Sequence, residues 1–127
     1  MSNLTRNELI GKRVILSIGE PWDFDSPDGQ NKLMGVISEI SKNENSKRPW
    51  VLLNTTPFEY DNKSISQLIG HSRHVGCNAI EDLLMGRSAS CNFIFKKTGL
   101  EIHRHNVENE LIDGSDKSWL IGGMKIK

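Results

Sequence analysis

Leu33-Met34-Gly35-Val36-Ile37-Ser38-Glu39-Ile40, a polar connection from Ser41 to Pro49, and then Trp50-Val51-Leu52-Leu53-Asn54-Thr55-Thr56-Pro57-Phe58: this stretch decides the fold. Both apolar runs are short and rich in Val, Ile, Leu and Thr, which suits strands. Upstream, Val14, Leu16 and Ile18 alternate with Arg13 and Ser17, the period of a half-buried strand. Ile15 breaks that alternation and is expected to pack under a neighbouring element. The loop Gly19–Gly29 is rich in Asp, Pro and Gly and ends in the turn signature Ser26-Pro27-Asp28-Gly29. Gly35 marks a bulge or bend within the second strand. Three strands joined by turn-bearing connections predict an antiparallel meander.

Farther along, Cys91, Phe93 and Phe95 fall on one face of a strand from Ser90. The turn Lys97-Thr98-Gly99 then sends the chain back through Leu100, Ile102 and Arg104, the clearest hairpin in the sequence. Trp119–Ile126 is a final strand carrying Leu120, Met124 and Ile126. Two helix starts are legible. Thr5 with Glu8 forms a capping pattern before Leu9-Ile10 and the stop Gly11; Asn78 with Glu81 repeats it before Ile80, Leu83, Leu84 and the stop Gly86. Ser64–His74 is ambiguous: Ser64 with Gln67 offers the cap of a short helix, and His71–Val75 reads equally as extended. The reading is mainly β, α+β at most: a small, partly open antiparallel barrel or sandwich with two or three short helices. An SH3-like barrel is the preferred picture. Residues 1–127 read as a single domain, a usual domain length.

Acidic and basic residues balance at 16 each, so no global field draws in nucleic acid or an anionic membrane. No apolar run approaches the roughly 20 residues that span a bilayer. The N-terminal residues lack the apolar core of a signal peptide, and the two cysteines, Cys77 and Cys91, announce no disulfide framework. These features predict a cytoplasmic protein without a membrane partner.

No cofactor motif is legible, and the chemistry-bearing groups fall into three sets. The loop after the first strand sets the carboxylates Glu20, Asp23 and Asp25 beside the rings of Trp22 and Phe24, a combination suited to a protein partner. Its spacing fails as a calcium loop, because Pro27 stands where an oxygen ligand is needed and no glutamate closes the series. Arg73, Lys96, Lys97 and Arg104 are candidates for phosphate contacts if they converge on one face. Glu101, His103 and His105 share a strand face at period two and are candidates for a borderline metal ion. Gly70-His71-Ser72-Arg73-His74 fails as a nucleophile elbow, since His74 occupies the second glycine position. Cys91 reads as core and Cys77 as the more exposed thiol.

The leading expectation is a non-catalytic protein-interaction module, with an inhibitor or immunity-type role within that class. A small-barrel nucleic-acid-binding protein and a metal-dependent enzyme centred on His103 and His105 are the alternatives.

Overall fold

The computed structural model describes residues 5–20, 31–41, 49–60, 62–74, 78–99, 102 and 117–127. In chain order the elements are α1 (Arg6–Leu9), β1 (Arg13–Glu20), β2 (Lys32–Ile40), β3 (Trp50–Tyr60), β4 (Lys63–Ser72), α2 (Ala79–Leu84), β5 (Ala89–Lys96) and β6 (Lys117–Ile126). The six strands pair antiparallel with their chain neighbours, and β6 returns to β1 to close a barrel. The molecule is thus the small β-barrel with short helices that the alternation predicts.

Inward positions repeat every second residue, as the pleat demands. They are Val14, Leu16 and Ile18 on β1, Leu33 and Ile37 on β2, and Cys91, Phe93 and Phe95 on β5. Val51, Leu53, Phe58, Ile65, Leu68, Leu120 and Met124 complete the filling. Phe58 and Tyr60 meet Phe95 edge-on, with ring centroids 5.6 and 5.0 Å apart, and so finish the core towards one rim. At the other rim, Leu9 of α1 and Ala79, Ile80 and Leu83 of α2 join the same core and plug the barrel.

The helices form where the caps place them. Thr5 and Glu8 make a reciprocal capping box, and the Asn78 side chain accepts from the Glu81 amide. Gly11 and Gly86 then take the left-handed conformation that stops each helix (φ 92° and 75°). The Ser72 hydroxyl accepts from the Ala79 amide at 2.6 Å, tying the end of β4 to the start of α2.

The structure settles one segment that the sequence left open and departs from the sequence reading at two points. Ser64–His74 is largely strand, since β4 runs to Ser72. The irregularity in β2 lies between Ile37 and Glu39 rather than at Gly35. The expected hairpin partner of β5 is not the segment through Ile102: β4 and β6 occupy both edges of Cys91–Ile94, and Ile102 lies outside any strand. Ile102 instead packs on the barrel's outer face against Trp50, Leu52 and Ile69, with Ile94 beside them. Its amide donates to Gln67 Oε1 at 2.7 Å, which fixes it there.

Candidate functional site

The rims sort the predicted site residues. Glu20 ends β1, where its backbone pairs with Ile121, at the rim away from the helices. Trp22, Asp23, Phe24 and Asp25 lie outside the described residues, as do Glu101, His103, Arg104 and His105. Lys96 and Lys97 sit at the same rim as Glu20, at the end of β5. Arg73 is exposed at the helical rim, where its amide bonds to the Ser90 carbonyl. Lys96 stands six residue steps along β5 from Ser90, about 20 Å of rise. Arg73 and the two lysines therefore do not share one patch.

Cys77 lies outside the described residues, and His71, Ser72 and Cys91 are structural. Ser72 serves α2 as described. His71 is buried, and its Nδ1–H donates to the Ser72 carbonyl at 3.0 Å. Cys91 is fully buried, and burial, with the Asp82 carboxylate as a lesser cause, pushes its thiol up to about 12. A thiol held protonated inside a core is not a nucleophile. Among the described residues, no three His, Cys, Asp or Glu side chains gather as a metal site.

What remains is the outside of the barrel, and its two halves differ. Over β3–β4–β5, the outward side chains Trp50, Leu52 and Ile69 are buried under Ile102. Over β1 and β2, the outward side chains are open: Met34 is 36 % exposed and Val36 38 %. The registers arrange this open face in lateral rows. Arg13 stands between Val36 of β2 and the C-terminal Lys127, whose amide bonds to the Arg13 carbonyl, and Val36 is followed by Asn54 and Gln67. In the next row Ile15 lies between Lys125 and Met34, and Ser17 in the third pairs with Lys32. A groove of about 320 Å³ runs across these strands, lined by Arg13, Met34, Gly35, Val36, Asn54, Thr55 and Thr56.

Sequence reasoning missed this face for a physical reason. Leu33-Met34-Gly35-Val36-Ile37 is continuously apolar, so period-two reading does not reveal which parity faces out. Gly35 carries the signal: a Cβ there would touch the Asn54 carbonyl, Thr55 and Val14 at 3.4–3.5 Å, so Gly35 points into the wall and its neighbours point outward.

Comparison of the chain with protein-family models, curated proteins and solved structures finds no match. No helix among the described residues is long and apolar enough to cross a membrane.

Proposed function

We propose that the protein is a non-catalytic protein-interaction module, of inhibitor or immunity type, acting in the cytoplasm. One observation carries the reading: Trp50, Leu52 and Ile69 on the outer face are covered by Ile102, whereas Met34 and Val36 on β2 stay open beside a groove. Exposed apolar groups gathered on a rigid sheet favour a protein partner. The filled interior supports the same view, because large side chains such as Leu16, Leu53, Phe93 and Phe95 occupy the volume in which a barrel would hold a small ligand. The free, buried Cys91 thiol suits a reducing compartment. The loop bearing Glu20, Trp22, Asp23, Phe24 and Asp25 remains part of the proposal as a second contact region.

The test is capture of partners by the tagged full chain from a lysate of its own cells, with nuclease and chelator controls. The expected result is one stoichiometric protein that survives both treatments. Capture that disappears with nuclease would replace this reading with nucleic-acid binding, and capture that disappears with chelator would favour the metal alternative. Beads that stay empty would overturn the module.

A further inference from the structure

The open face carries a charge pattern as well as apolar groups. The outward positions of β6, β1 and β2 place Lys125 and Lys127, Arg13, and Lys32 around Ile15, Met34 and Val36. Arg13, Lys32, Lys125 and Lys127 are all exposed. No carboxylate occupies an outward position in the rows defined by Arg13, Ile15 and Ser17 on these three strands; Glu39 and Glu59 lie beyond them, beside Leu52 and Ser64. None of the four cations belongs to an ion pair among the described residues, where Arg87 and Asp82 make theirs on and beside α2. In a chain of zero net charge, Arg13, Lys32 and Lys125 around an apolar strip are a local excess of positive charge.

We infer that this face binds an acidic segment of a partner protein, with an apolar side chain of the partner seated over Val36 and Met34 and its carboxylates on Arg13 and Lys125. The inference rests on the module reading and names the partner's chemistry. Charge complementarity selects an acidic ligand, and the apolar floor selects one with hydrophobic anchors. Asn54 and Thr56 are exposed along the β3 wall of the groove. With Asn54 Oδ1 accepting from Gln67 and the Thr56 hydroxyl donating to the Met34 carbonyl, the Asn54 amide N–H groups and the Thr56 oxygen lone pairs are what they offer a partner's backbone. A nucleic acid is the poorer fit, because among the described residues no aromatic ring lines the groove to stack on a base. Closure of the barrel also matters: with β1 paired to both β2 and β6, the partner cannot add a strand and has to be read by side chains.

The experiment follows the backbone amide resonances of the isotope-labelled full chain by NMR. The titrants are a short peptide alternating Asp and Glu with Leu and Phe, its lysine counterpart, and oligothymidine. The acidic peptide is expected to shift the amides of Arg13, Ile15, Met34, Val36 and Asn54 saturably, and the lysine peptide to leave them unmoved. The double reversal Arg13→Glu/Lys125→Glu should weaken binding about tenfold or more, and Val36→Thr, which keeps the branched strand-forming side chain, should weaken it without altering the thermal transition. Any of four results would overturn the inference: no shift at these residues with millimolar acidic peptide, shifts confined elsewhere, a larger response to oligothymidine, or shifts caused by self-association of the protein alone. Capture from lysate separates the two proposals. A partner retained by the double reversal variant leaves the module standing and removes this face, whereas no partner for the unaltered chain removes the module itself.

Discussion

Gly122 is the residue on which barrel closure depends, and replacing it with alanine is the sharpest test of the β1–β6 seam. A Cβ at Gly122 would stand 1.9 Å from the Ser17 carbonyl oxygen, 2.9 Å from its carbon and 3.0 Å from the Ile18 Cα. All three are backbone atoms, so no side chain can swing aside. Relief needs roughly 1.5 Å of retreat between strands that normally lie about 4.8 Å apart. That displacement strains the ladder at Ser17–Gly123 and Ile18–Gly122, next to the irregularity already present between Ile18 and Glu20. Overpacking costs about 1–3 kcal/mol, and one or two weakened backbone hydrogen bonds add about 1 kcal/mol each. The expected loss for Gly122→Ala is therefore about 2–5 kcal/mol. In a domain of this size that lowers Tm by about 10–20 °C.

Gly19→Ala supplies the control on the same seam, because among the described residues its Cβ would meet only the Ile121 carbonyl oxygen at 3.8 Å, an ordinary contact. Its change should stay within about 1 kcal/mol of zero. Urea unfolding followed by circular dichroism measures both variants. A Gly122→Ala protein within about 1 kcal/mol of the unaltered chain, or a Gly19→Ala protein equally damaged, would refute the geometry of the closure.

Three further outcomes follow from the core and its roof. Ile102→Ala should cost about 2–4 kcal/mol, and Gln67→Ala about 1–2 kcal/mol by leaving the Ile102 amide without its acceptor; because both release one anchor, the double variant should cost less than the sum, and strict additivity in urea unfolding would deny the link. The Cys91 thiol, pushed up to about 12 by burial from an ordinary 9.0, holds its proton more tightly in the folded chain. Its contribution is whole below pH 9 and lost as pH rises towards 12, by up to about 4 kcal/mol, so stability should fall less steeply over that window in Cys91→Ala than in the unaltered chain; parallel curves would contradict the assignment. At α1, hydrogen bonds from the Thr5 backbone and side chain hold the Glu8 carboxyl below its usual range, with Lys12 a smaller influence. Thr5→Ala, which keeps the backbone N–H and removes only the hydroxyl, should move the Glu8 titration part of the way back upward in a side-chain NMR titration, and an unmoved midpoint would mean that the hydroxyl does not contribute in solution.

The parts of the fold legible in the sequence are those where one physical signal acts alone. Cys91, Phe93 and Phe95 alternate because β5 meets the core on one face only, and Thr5 and Asn78 stand where helix amides need acceptors. β4 was ambiguous because two faces are buried at once. Ile65 and Leu68 join the core while Ile69 lies under Ile102 outside, and the three together carry the spacing of a helix face. The hairpin through Ile102 misled for a related reason. Leu100, Ile102 and Arg104 offer an acceptable strand pattern, but closing the barrel requires one strand to pair with both β5 and β1, and β6 fills that place. Local pattern does not choose between two later segments that compete for one edge.

The site was less legible than the fold because its charges come from opposite ends of the chain. Arg13 and Lys32 lie near the start, Lys125 and Lys127 at the end, and only the β1–β6 pairing brings them together. The same closure that assembles the face also limits how it can work. A closed barrel presents no free strand edge, and its interior here is occupied by its own side chains. Recognition on this face is then left to outward side chains whose backbone positions are fixed by pairing on both sides. Little ordering is lost when such a surface binds, and a cation-ringed apolar strip gains partner choice from charge more than from area. Binding there should consequently be sensitive to salt through its association rate, with the apolar contacts at Met34 and Val36 governing how long the complex lasts.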